Sequence, residues 1–197
     1  AYLVRYIDDF VLCFQYRSDA LRVQTVLRKR LMKFSLYLEP TKTKLVEFGR
    51  FAQRYASKRG RKRPETIYFL GMVLYCTRNR KGNFKVGMRT EKSRLQRSLA
   101  HLRDVMRRGR HLPVKEQVVN INRVLRGHYA YYGIAGNFRA LQRVHRAVER
   151  YWRKMLSSRS HKGHITWEVF HRIKESYPLQ RPKLYLPYRE LQTIAVL

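Results

Sequence analysis

Near Thr90 the spacing of the apolar residues changes, and no other feature limits the folds open to this chain as strongly. Before it, apolar residues gather in short β-branched and aromatic runs separated by turn formers. After it they recur every three or four residues. The first pattern suits strands and the second amphipathic helices. The expected fold class is therefore α+β, with a strand-containing part over residues 1–89 and an all-α part over residues 90–197.

Within the first part, Tyr2 to Tyr16 predicts a hairpin with Asp8 and Asp9 at its turn. Ser18 and Asp19 then open a helix whose apolar positions Ala20, Val23, Leu27, Leu31, Phe34 and Leu38 share one face, ending before Pro40. A strand is expected at Leu45 to Phe48, an exposed basic loop from Arg54 to Arg63, and a second hairpin from Thr66 to Cys76 and Phe84 to Arg89 around Arg80–Asn83. In the second part Thr90 caps a helix with the stripe Leu95, Leu99, Leu102 and Met106, closed near Gly109. Pro113 opens the next, with Val114, Val118, Ile121, Leu125, Tyr129 and Tyr132 inward. Further helices are expected over residues 137–157 and 166–177, and the proline-rich tail from Pro178 to Tyr188 reads as extended over the surface.

Charge narrows the function. The formal net charge is +31, yet 44% of the residues are hydrophobic, so the chain is too apolar to be a disordered basic tail. A field of one sign repels itself unless a polyanion lies against it, and nucleic acid is the first partner to expect. No run approaches the roughly 18 apolar residues of a membrane span, so no membrane partner is expected. Cys13 and Cys76 stand apart in hydrophobic runs and read as reduced core thiols of a cytoplasmic protein. The sequence opens at Ala1 directly on a strand-like run, from which a preceding segment is expected.

A carboxylate pair at the tip of a hydrophobic hairpin suits divalent metal: the strands fix the turn while the acids project from it. Asp-Asp in a turn is usually just an ordinary solvated pair, and taken alone it favours that reading. The flanking residues bear on the choice. Tyr6-Ile7-Asp8-Asp9 resembles the Tyr-x-Asp-Asp motif of reverse transcriptases. In order after it, Leu36 to Thr43 with Leu45 to Gly49, then Phe69-Leu70-Gly71, resemble palm segments of group II intron enzymes. Arg123 to Tyr132 is similar to a segment of their thumb, or maturase, domain.

That resemblance implies the end of a palm followed by a helical thumb and maturase domain. It implies an RNA-directed DNA polymerase and intron maturase whose partners are group II intron RNA, an RNA template, a DNA primer and dNTP. By it Asp8 and Asp9 hold magnesium (Mg2+) for two-metal nucleotidyl transfer, and Tyr6 packs near the primer end. Lys42 falls where a lysine faces the incoming triphosphate, and it is as readily a solvated lysine after a helix. Gly71 permits close approach, to nucleic acid or to a neighbouring strand. The family also needs an Asp from an earlier palm strand, and a fingers region, which this sequence does not contain. The chain alone is thus expected not to polymerise. A missing N-terminal half and a homodimer are the candidate protein partners, and an unpaired sheet edge is expected to bring aggregation or dependence on RNA. The rivals are a non-enzymatic RNA-binding splicing factor with a vestigial metal site and a related reverse transcriptase of a retroelement or defence system.

The helical part has its own argument for RNA. Arg139, Arg143, Arg146, Arg150 and Arg153 recur every three or four residues opposite an apolar face, which aligns five guanidinium groups suited to phosphate. A solvated helix face is the ordinary reading of such a stripe, but five arginines with only Glu149 nearby repel one another. Arg94, Arg97, Arg103, Arg107, Arg108 and Arg110 suggest a similar surface on the first helix of this part, with Arg126 and the stacking candidate Tyr131 on the second. His161, His164 and His171 lack the paired cysteines of an appended nuclease and read as polar or RNA-facing residues.

Overall fold

A computed structural model describes residues 1–160 and 163–194; His161 therefore lies outside the described residues. Among them are seven helices and two small sheets, divided into compact units of Ala1–Gly87 and Met88–Leu197.

In the first unit, β1 (Tyr2–Tyr6) pairs antiparallel with β2 (Asp9–Cys13), and Tyr6 stands opposite Asp9. Ile7 and Asp8 make the two-residue turn, so Asp9 begins a strand rather than sharing the tip. Ile7 sits at φ 56°, a conformation that strains a β-branched residue by about 1–2 kcal/mol. All five residues of β1 are exposed. α1 (Arg17–Met32) buries only Ala20 and half-buries Val23, Leu27 and Leu31. It stops well before Pro40. Ser35 turns into the left-handed region at φ 56°, the Leu36 N–H reaches Leu31 O and the Ser35 N–H reaches Met32 O, which is a Schellman-type end. Phe34, expected inward, is left exposed.

Three further expectations change here. Leu45–Phe48 is not a strand; Glu47 instead takes two arginines, Arg59 at 2.7 Å and Arg17 at 3.4 Å. The basic loop contains a helix, α2 (Ala52–Lys58), seated through buried Ala52 and Ala56 one turn apart. Gly60, at φ 70°, ends it. Thr66–Cys76 is not one strand but β3 (Ile67–Phe69) and β4 (Met72–Arg78), with Leu70 and Gly71 both at positive φ in the tight turn between them. β5 (Phe84–Thr90) completes a sheet of order β3-β4-β5. Cys13 is exposed and Cys76 half-buried, both free, so Cys13 is not the core thiol expected of it.

The second unit is built on α3 (Lys92–Arg108), α4 (Val114–Tyr132), α5 (Phe138–Ser157) and α6 (Trp167–Ser176). Their apolar stripes meet in one core that includes Leu102, Met106, Ile121, Leu125, Tyr129, Leu141, Val144, Val148, Trp152 and Phe170. Thr90 does not cap α3 with its side chain. It is buried, its N–H donating to Asn137 Oδ1 at 2.9 Å while its hydroxyl accepts from Asn137 Nδ2 at 2.8 Å. The tail runs extended over the surface and is pinned there. Asn122 Nδ2 donates to Pro178 O, the Gln180 N–H returns to Asn122 Oδ1, Leu179 is buried, and Leu186 forms a parallel bridge with Ile134. A short helix, α7 (Tyr188–Ile194), follows.

Candidate nucleic-acid interface

The arginine face of α5 is the mirror of its core face. Leu141, Val144, Val148, Trp152 and Met155 are buried, and at about 100° per residue Arg139, Arg143, Arg146 and Arg150 fall within a narrow arc on the opposite side. All four are exposed, and none enters an ion pair among the described residues. Glu149, the nearby acid, is half-buried and committed to Lys174 of α6, with Nζ donating to its Oε1 at 2.6 Å. The charge on this face therefore has no internal counterpart.

What holds that face rigid lies beneath it. Trp152 is 0% exposed, and its indole N–H donates to Gln117 Oε1 at 2.9 Å. Gln117 Nε2 in turn donates to Arg110 O at 3.1 Å and Leu112 O at 2.8 Å. One buried amide thus ties α5 to α4 and to the loop after α3. At the other end of α5, Asn137 binds Thr90 and also donates to Tyr132 O at 2.8 Å. A second buried group joins the helices through Tyr129, whose hydroxyl lies 3.4 Å from His145 Nδ1. Burial first, and the Glu149 charge second, push the Tyr129 phenol well above its ordinary value; burial pulls His145 down against the opposing effect of Glu149.

The other candidate residues divide. Arg97, Arg126 and Tyr131 are exposed, Tyr131 at 55% and edge-on to Tyr132 at 4.8 Å, while Tyr129 and Tyr132 turn inward. The basic residues of α3 do not form one continuous stripe. Arg107 and Arg108 pair with Asp104 at 3.2 and 2.8 Å, Arg94 approaches Glu91 at 3.9 Å, and Arg103 lies over the Tyr151 ring. Arg153 departs from the α5 stripe as well. It is half-buried, Nη1 donates to Ile165 O at 2.8 Å, and its guanidinium lies 4.4 Å from the centre of the Trp167 ring. Sequence spacing correctly puts it on the arginine side of α5, but spacing within one helix is blind to a tryptophan arriving from α6.

In the first unit, Asp8, Asp9, Tyr6 and Lys42 are all exposed, and neither carboxylate enters an ion pair among the described residues. Lys42 lies in a turn closed by Glu39, whose carboxylate accepts from the Thr41 hydroxyl at 2.8 Å and the Thr41 N–H at 3.2 Å; these two bonds hold Glu39 below the usual carboxylate range. Gly71 serves the β3–β4 turn, which accounts for it without nucleic acid. Magnesium takes near-octahedral oxygen ligands, keeping waters where protein supplies few. Two adjacent acids, one on a turn and one on a strand, supply part of such a set. No group of three or more His, Cys, Asp or Glu side chains among the described residues is placed to share an ion. Among the described residues, Asp8 and Asp9 therefore supply only part of a magnesium site.

Comparison with known families bears on the helical unit. Residues 95–174 match the family model described as group II intron, maturase-specific domain. The match supports a group II intron maturase. It runs from the first turn of α3 to near the end of α6, so the matched region contains both the arginine face and the buried Trp152–Gln117 pair beneath it. Neither the curated proteins nor the solved structures compared give a match. No helix among the described residues is long and apolar enough to cross a membrane.

Proposed function

We propose that the chain binds group II intron RNA through the exposed face of α5 and aids its splicing, as the RNA-clamping part of an intron-encoded protein. The observation that carries this reading is the set of unpaired arginines on α5, backed by a core that fixes their spacing. Arginine suits bidentate phosphate contact, and structured RNA is recognised largely by backbone and shape. Substituting Arg143, Arg146 and Arg150 together with Gln is expected to weaken binding of a structured intron RNA and to flatten its dependence on log salt by about 2 to 3 units. An unchanged slope would place these side chains in plain solvent. Far-ultraviolet circular dichroism should be unaltered, because none of the three touches the core.

The finer reading is that residues 1–89 are the end of a reverse-transcriptase palm, with Asp8 as a metal-binding acid, Asp9 its neighbour, Tyr6 near the primer end and Lys42 near the triphosphate. Its support is the hairpin that presents the Asp pair to solvent beside a strained residue, Ile7. Polymerisation then requires acid ligands from outside the described residues. In a protein that supplies them, Asp8→Ala should abolish primer extension on an RNA template and leave RNA affinity unchanged. Retained extension would remove Asp8 from the reaction, whereas no extension by the unsubstituted protein would favour the non-enzymatic splicing factor.

A further inference from the structure

Arg153 leaves the phosphate-facing set to hold something else. Its Nη1 is fixed to Ile165 O at 2.8 Å, its Nε is buried without a partner among the described residues, and its guanidinium lies against Trp167 at 4.4 Å from the ring centre. Trp167 is the first residue of α6, which Thr166 caps by accepting from the Val169 N–H at 3.3 Å. Phe170 meets the indole edge-on at 5.8 Å, and the His171 ring lies 6.3 Å away at a shallow 39° tilt. The indole is thus held by a cation and by an aromatic edge, and the residue is still 44% exposed. It also lies at the margin of the α5 arginine face, since Arg153 is one turn beyond Arg150 and two beyond Arg146.

An indole that is rigid, partly open and next to a row of cations has the two properties that single-stranded nucleic acid sites combine: a π surface and a track for the backbone. A preorganised ring also loses little freedom on binding. We infer that Trp167 is a stacking platform for an unpaired nucleobase of the RNA whose phosphates lie along Arg139, Arg143, Arg146 and Arg150. This rests on the RNA-binding reading above and adds that the RNA must offer an unstacked base where α5 meets α6. Fully paired RNA holds its bases in the helix and cannot fill the platform. Arg153 is then a positioning residue that sets the plane of the indole.

The chain has two tryptophans, which makes the test direct. Trp152 is sealed in the core and reports folding; Trp167 reports contact. Titrating the chain with an oligoadenylate RNA of about 12 nucleotides should quench part of the indole emission, and a blunt RNA duplex of similar length should bind without quenching. In Trp167→Phe the remaining Trp152 emission should stay constant throughout the oligoadenylate titration. Trp167→Ala should weaken oligoadenylate about tenfold with an unchanged salt slope, whereas the arginine substitutions change the slope. Equal quenching by duplex, no quenching on saturation with oligoadenylate, or persistent quenching in Trp167→Phe would overturn the platform and leave the arginine face standing. Failure of both RNAs to bind would overturn the two together.

Discussion

Trp152→Ala is expected to destabilise the helical unit by about 3–5 kcal/mol, the largest effect of any single substitution considered, and to be read as a shift in a urea melt followed by helical circular dichroism. Two losses add. The indole is completely buried and packs edge-to-face on Phe170 with ring centres 5.3 Å apart, so its removal leaves a cavity bordered by α6. It also strands Gln117 Oε1, an acceptor in a residue that is only 4% exposed. Trp152→Phe separates the two: it keeps much of the packing and forfeits the hydrogen bond, and should cost about 1–3 kcal/mol. If Phe is as damaging as Ala, the bond to Gln117 is the dominant element. If Phe is neutral, the α4–α5 link is carried by packing alone, and the rigidity ascribed to the arginine face needs another source.

The helical unit is legible in the sequence and the first unit less so, for reasons of packing. In α4 and α5 the buried positions are numerous, in α3 Leu102 and Met106 are joined by half-buried Leu95 and Leu99, and all recur at helical intervals over 17 to 20 residues, so local pattern and tertiary packing agree. α2 is held by two alanines, which contribute too little apolar area to stand out from the basic residues around them. The β3–β4 turn was hidden because Leu70 occupies a left-handed position where Gly or Asn is the usual signal. The acidic pair marks the first hairpin but sets its turn at Asp8 and Asp9, one residue late, since Ile7 is no turn former.

For the candidate interface, the periodicity of α5 placed its arginines but not their partners. Arg153 stands on the arginine side and yet binds inward, a fact set by Trp167 fourteen residues later and by the Ile165 carbonyl. Trp167 itself gave no sign, because one tryptophan at a helix start reads as a core anchor; its partial exposure emerges only when α6 docks. On α3 the sequence did contain the answer. Asp104 stands three and four residues before Arg107 and Arg108, the spacing at which helix ion pairs form, and it pairs with both.

Acid should weaken the helical unit well above the pH at which carboxylates protonate, and His128 is the main cause. Its side chain is buried on α4, 8% exposed as a residue, with the ring 4.8 Å from that of Tyr132 and Nε2 lacking a hydrogen-bond partner among the described residues. Burial lowers its pKa from 6.5 to about 4. A base depressed in the folded state binds its proton more readily when unfolded, so the stabilisation is fully present above about pH 6.5 and is lost as pH falls from there toward 4. The loss should reach about 2 kcal/mol between about pH 7.5 and pH 5, with a limit near 3 kcal/mol. His145 is depressed in the same direction, so the wild-type protein alone cannot assign the effect. His128→Phe can: it keeps a planar ring against Tyr132 and removes the titrating nitrogen. Urea midpoints for this variant should fall less between the two pH values, and the difference from wild type isolates His128. Parallel loss in both proteins would move the acid sensitivity to His145 and its neighbours Glu149 and Lys174, whose ion pair joins α5 to α6.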